Sequence, residues 1–154
     1  MGRNIFQPFL SPQIHEGDNR VHCPTGVADR VNLGLIPAAE MSYPAACAAL
    51  KRDTGGVLHI HHNVKRGDDF GQRLESFTGR ISEGEDFRCK HEDWRLWSYA
   101  TAGKIAAISE SMSDRGEIMS GWTVTLLRLT RVKSYAPRVD HLVLDLRCNF
   151  QPRR

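Results

Sequence analysis

Two short apolar runs on either side of an alanine-rich stretch constrain this chain more than any other feature. Residues 27–36, Val-Ala-Asp-Arg-Val-Asn-Leu-Gly-Leu-Ile, are bounded by Gly26 and Pro37. Their length and β-branched content predict a buried strand. Ser42 is placed to cap a helix that carries Pro44 in its first turn and runs through residues 45–50. Asp53-Thr54-Gly55-Gly56 stops that helix. Gly55-Gly56 then opens a second strand over residues 57–64. Strand, helix and strand in succession require a crossover between parallel strands, with the helix on a face of the sheet.

The remaining elements extend this plan. Residues 14–20, Ile-His-Glu-Gly-Asp-Asn-Arg, read as a short strand ending in a Gly/Asp/Asn turn. Glu92-Asp93 open an amphipathic helix whose apolar positions Trp94, Trp97, Ile105, Ile108 and Met112 line one face and which closes near Arg115-Gly116. Residues 122–133 and 141–148 are strands, the first with a phase switch at Leu126-Leu127 that suggests a bulge. Too few residues separate them for a crossover, so they form an antiparallel hairpin, expected at one edge of the sheet. Three segments offer little to bury. Residues 1–13 form a Pro-containing irregular arm, residues 65–93 a long polar loop expected to be disordered, and residues 151–154 a tail. Residues 14–150 are then one continuous folded unit, part of a domain.

Composition enters at the question of partners. The net charge of +3 over 154 residues is too mild to announce nucleic-acid binding by itself. Its distribution is uneven: residues 65–93 hold six basic and eight acidic groups, residues 115–154 eight basic and three acidic. The C-terminal quarter is thus the place to look for a phosphate-rich partner, with a mixed solvated surface as the competing reading. No apolar run approaches the roughly 20 residues that span a bilayer. The N-terminus lacks the apolar segment of a signal peptide. Cys23, Cys47, Cys89 and Cys148 are scattered without a CxxC pair, as suits reduced thiols. A cytoplasmic protein is expected.

Three clusters could carry chemistry. After a strand, Asp18-Asn19 could hydrogen-bond an adenine at the carboxyl end of a parallel sheet, although Gly-Asp-Asn is also common turn chemistry. Asn32-Leu33-Gly34-Leu35-Ile36-Pro37 puts a polar side chain at a strand end, followed by a Gly/Pro loop whose carbonyls could face a flat base. A buried strand ending in a Pro turn explains the apolar residues equally well. His59-Ile60-His61-His62 places His59 and His61 on one strand face, where Cys89, His91 or Cys23 could complete a zinc site. The spacing fits no standard zinc module, and hydrogen-bonded structural histidines are the stronger reading, so no metal is expected. Trp94, Trp97 and Trp122 could stack on bases, but core packing is favoured for the two on the helix stripe.

Taken together, four segments resemble the tRNA wybutosine-synthesizing protein 2 family. They are Ile14-His15-Glu16-Gly17-Asp18-Asn19-Arg20, residues 27–37, Gly55-Gly56-Val57-Leu58-His59-Ile60-His61, and residues 132–146, which open Val-Lys-Ser-Tyr-Ala-Pro. The resemblance covers about residues 14–148, with 65–93 as the divergent part. It implies an α/β fold, the C-terminal half of a doubly wound Rossmann-like S-adenosylmethionine-binding domain, mostly parallel with an antiparallel C-terminal hairpin. It also implies transfer of the 3-amino-3-carboxypropyl group of S-adenosylmethionine to a modified guanosine beside the anticodon of phenylalanine tRNA. Asp18 and Asn19 would then hold the donor's adenine, and Asn32, Gly34 and Pro37 would line the target base. The general base is left unassigned.

The family's Gly-rich loop and its ribose-binding acidic residue would lie before Ile14, so the chain reads as a shortened member. Residues 27–36 are then expected to leave an open strand edge, which the N-terminal arm or a partner chain could cover. Weak binding of S-adenosylmethionine is expected to follow. The alternatives are a non-catalytic fragment acting as a binding module and, behind it, a related tRNA guanine methyltransferase.

Overall fold

The computed structural model describes residues 11–70, 77 and 79–150. The elements are α1 (Asn19–His22), β1 (Arg30–Leu33), a 3₁₀ turn (Glu40–Ser42), α2 (Tyr43–Ala49), β2 (Gly55–Lys65), β3 (Ile81–Glu83), α3 (Glu92–Asp114), β4 (Thr123–Ala136) and β5 (Val139–Asn149). The strands form one sheet in the order β1-β2-β5-β4-β3. β1 pairs with β2 and β3 with β4 in parallel, while β5 is antiparallel to both β2 and β4. Four strands therefore run one way and β5 alone runs the other. This is the mostly parallel α/β sheet with a C-terminal hairpin that the sequence implies.

The differences are local. The β4–β5 hairpin lies inside the sheet, because β5 pairs with β2 on one side and β3 adds to β4 on the other. The polar stretch before α3 supplies β3 and buries Phe87, so its described part is ordered structure. The expected disorder at residues 71–76 and 78, the first ten residues of the arm and the 151–154 tail lie outside the described residues. Residues 14–20 are not a strand: Asp18 caps the single turn of α1, and Ile14, which a strand would bury, is 92% exposed. The phase switch at Leu126-Leu127 is real. The ladder shifts register between Leu126 and Arg128.

The two sheet faces differ in chemistry. Leu58, Ile60 and Val64 of β2, Val124 and Leu126 of β4, and Leu142, Leu144, Leu146 and Cys148 of β5 face the core, all essentially inaccessible. Burying each leucine contributes about 1.5–3 kcal/mol. Against this face pack Tyr43, Ala46, Cys47 and Leu50 from the α2 segment and Trp94, Trp97, Ala102, Ile105, Ala106 and Met112 from α3. Trp122 is also fully buried, donating to Glu110 at 2.9 Å, so all three tryptophans serve the core and none is free to stack on a base. Both longer helices thus cover one face. Period-two alternation gives the opposite face Arg30 and Asn32 of β1, Val57, His59, His61, Asn63 and Lys65 of β2, and Val139, His141, Val143, Asp145 and Arg147 of β5. Of these, Val57 is buried and the rest are part-buried or exposed.

Two glycines admit β2 between its neighbours. Gly55 sits at φ +73°, and a Cβ there would strike the Cys148 carbonyl. A Cβ on Gly56 would strike the Asp29 carbonyl, which accepts the Val57 N–H at 2.9 Å.

Candidate functional site

β1 and β2 end at the same edge of the sheet, the carboxyl edge at which open α/β sheets bind ligands. Asn32 is exposed and stands opposite His59 in the β1–β2 register. The chain then leaves the sheet through exposed Gly34 and Leu35, turns at a cis Ile36–Pro37 bond and comes back along β2. The Pro37 carbonyl accepts the Asn63 N–H at 3.0 Å, and Ala38 bridges to His62. Asn32, Gly34 and Pro37 are therefore gathered at the end of β1, strapped to the last third of β2.

Asp18 and Asn19 reach that edge from another direction. Asn19 opens α1 and its Oδ1 accepts the Ser42 hydroxyl at 3.4 Å, just before α2 begins. Asp18 caps α1 by accepting the Arg20 N–H at 2.9 Å, and its carboxylate also holds the Arg20 guanidinium. The Arg20 side chain and then its N–H pull the Asp18 carboxyl down to about 2. Asp18 is thus a fixed anion whose acceptor sites already serve Arg20. Asn19 keeps its amide N–H₂ unspent among the described residues. The two groups share an edge, and among the described residues no hydrogen bond joins them.

The histidines make cross-strand links. His59 Nδ1 lies 2.7 Å from Asp145 Oδ1, and His59 Nε2 lies 3.3 Å from Arg30 Nη1. An arginine can only donate, so Nε2 accepts and Nδ1 carries the proton shared with Asp145. Arg30, His59 and Asp145 form a polar ladder over β1, β2 and β5, with the imidazole engaged at both nitrogens. His61 Nδ1 meets His141 Nε2 at 3.1 Å, the rings tilted at 5.3 Å between centroids. Burial first, then the charges of His141 and His59, push the His61 pKa below its ordinary value. Among the described residues no three His, Cys, Asp or Glu side chains are placed to hold a metal. Cys23, Cys89 and His91 do not join His59 and His61.

The sequence offered no signal for Asp145, His141 and Arg30, because each meets its histidine across a strand boundary. A further group escaped it. Among the described residues, buried His62 Nδ1, Asn63 Oδ1, Trp94 Nε1 and Trp97 Nε1 have no hydrogen-bond partner, and His62 stacks on Trp97 at 5.3 Å. Buried polar atoms are nearly always paired, and of these His62 and Asn63 stand on the stretch of β2 tied to Pro37 and Ala38.

No family model matches the chain. It is similar to the Bos taurus "tRNA wybutosine-synthesizing protein 2 homolog", 37% identical over 158 residues, which cover 88% of this chain and 35% of the relative. The Arabidopsis thaliana "tRNA wybutosine-synthesizing protein 2/3/4" is 42% identical over 150 residues, 95% of this chain and 12% of the relative. The chain thus spans about a third of the first of these and far less of the second. Two solved structures share the fold. M. jannaschii TYW2 in complex with AdoMet has a TM-score of 0.51 at 20% identity, covering 86% of this chain and 43% of that one. P. horikoshii TYW2 in complex with MeSAdo has a TM-score of 0.50 at 23% identity, covering 89% and 38%.

Proposed function

Since the chain belongs, over the span they share, with the tRNA wybutosine-synthesizing protein 2 family, we propose that it contributes the acceptor-side part of an S-adenosylmethionine-dependent tRNA transferase. The reaction is transfer of the 3-amino-3-carboxypropyl group to a modified guanosine beside the anticodon of phenylalanine tRNA, in the cytoplasm. The observation that carries this reading is the 37% identity over 88% of the chain. Bound S-adenosylmethionine supplies an activated sulfonium leaving group, so the protein's task is mainly to orient donor and acceptor.

The residues present fit the donor in part. The free Asn19 amide is available to an adenine ring nitrogen, whereas Asp18 must first loosen its grip on Arg20 to accept an adenine amino group. On the acceptor side, Asn32 supplies an exposed amide, and the Gly34–Pro37 turn supplies backbone carbonyls at the edge where a flat base would enter. His59 is committed at both nitrogens to Asp145 and Arg30, which supports a positioning role in the sheet over that of a proton acceptor.

The test is incubation of the chain with precursor tRNA and S-adenosylmethionine labelled in the aminocarboxypropyl chain. With the donor in large excess, since its binding is expected to be weak, label in the RNA with release of methylthioadenosine is expected, and Asp18→Ala should abolish it. Transfer of a labelled methyl group would point to the guanine methyltransferase. The second reading, a binding module without its own activity, draws on the chain spanning only about a third of its relatives. RNA binding with no transfer at all would favour it.

A further inference from the structure

β4 runs parallel to β1 and β2, so the end of the β4–β5 hairpin projects at the same carboxyl edge as Asn32 and Pro37. The register ties the two together. Pro37 meets Asn63 of β2, Asn63 pairs with His141 of β5, and His141 pairs with Lys133 of β4. Three steps of about 4.8 Å put the Lys133 position about 14 Å from Pro37 along one row of the sheet.

The hairpin's charges divide into two groups. Arg66 and Arg131 close on the buried Asp140 carboxylate, at 3.4 and 3.0 Å. Lys65, Lys133 and Arg138 enter no ion pair among the described residues, and all but the aliphatic flanks of this end are polar. Lys133 and Lys65 lie on the open sheet face with His141, while exposed Asp68 and Asp69 follow Lys65 in the turn after β2. Arg138 occupies the turn itself at φ +61°. Beside them Tyr135 is 60% exposed, an aromatic ring in water next to these cations.

We propose that this hairpin end is the surface on which the RNA strand flanking the target nucleotide lies, with Lys133, Lys65 and Arg138 on phosphates and Tyr135 stacked on a base. The chemistry fits single-stranded or looped RNA, which is held by cations along its backbone and by aromatic faces under unstacked bases. It rests on the tRNA reading above and adds a docking surface to it. Asp140 holds Arg66 and Arg131 behind the turn, and Arg138 donates to the Arg66 carbonyl at 3.4 Å, a neutral acceptor that leaves its charge available to a phosphate.

The experiment is fluorescence anisotropy of a labelled anticodon stem–loop RNA against the chain over a range of salt concentrations. Lys133→Gln and Arg138→Gly together should weaken binding at least tenfold and flatten the dependence of log K on log salt by about the two phosphate contacts removed. Glycine suits the Arg138 backbone, so that change removes charge without strain. Tyr135→Ala should weaken binding about tenfold with the salt slope unchanged, while Tyr135→Phe keeps wild-type affinity. The proposal is overturned if the wild-type chain does not bind the RNA, if the double variant keeps the wild-type slope, or if Tyr135→Phe loses as much as Tyr135→Ala. Donor affinity, followed by calorimetry, should be the same in all variants. Hairpin-dependent RNA binding without group transfer would sink the transferase reading alone; transfer with hairpin-independent binding would sink this surface alone.

Discussion

At the scale of single residues, two buried or half-buried groups make the chain's stability depend on pH. His61 is shifted below its ordinary value near 6.5 by burial and by His141, and burial does the same to His62. A histidine with a lowered folded pKa takes up its proton more readily in the unfolded chain. The stability this represents is present above about pH 6.5 and is lost as pH falls toward the lowered value. Urea midpoints should therefore drop between pH 7.5 and 5.5, and His61→Asn should shrink that drop. An unchanged drop in the variant would assign the effect elsewhere. Asp140 acts in the same direction, but in a more acidic window. Burial works against its charge, but Arg131 and Arg66 outweigh that and hold its carboxyl below the ordinary range. Its contribution is present at neutral pH and lost only as pH falls through the carboxylate range. Asp140→Ala leaves Arg66 and Arg131 unpaired on half-exposed stems, and should cost about 1–3 kcal/mol by denaturant titration.

At the scale of elements, the Gly55-Gly56 entry to β2 is the tightest joint in the fold. The parallel β1–β2 pair and the antiparallel β2–β5 pair both start there, so backbone approaches from two sides. Gly56→Ala should destabilise the chain by more than about 2 kcal/mol, because the obstacle is the Asp29 carbonyl and not a flexible side chain. Gly34→Ala is the control: a Cβ there meets nothing within 4 Å, and its unfolding midpoint should stay near wild type. The sequence marked Gly55-Gly56 as punctuation between helix and strand, and that was correct. What it could not carry was the reason, since Asp29 and Cys148 lie far from these glycines in the chain.

At the scale of the whole molecule, one sheet has an apolar face under two helices and a polar face crossed by histidine, arginine and aspartate ladders. Hydrogen exchange should follow from that asymmetry. Amides in the centre of β5, paired on both sides between β2 and β4, should exchange slowest; those of β1 that point away from β2 should exchange fastest. Equal protection across the sheet would mean that β1's outer edge is covered in solution.

From β1 onward, and apart from β3, the order of strands and helices was legible in the sequence, as were the parallel crossover, the α3 stripe and the bulge at Leu126. Each depends on periodicity or on neighbours a few residues away. Asn32, Gly34 and Pro37 were legible as a group for the same reason, as one strand end and its turn. The misread segment, residues 14–20, is also instructive: its composition suits a strand or a capped turn alike, and the Asp18–Arg20 pairing decided for the turn. Tertiary structure alone decided which groups meet across strands: Asp145 with His59, His141 with His61, Pro37 with Asn63. It also decided that hairpin and strand ends share one edge. Such meetings depend on register and strand order, which arise from burying one sheet face and have no signature within any single segment.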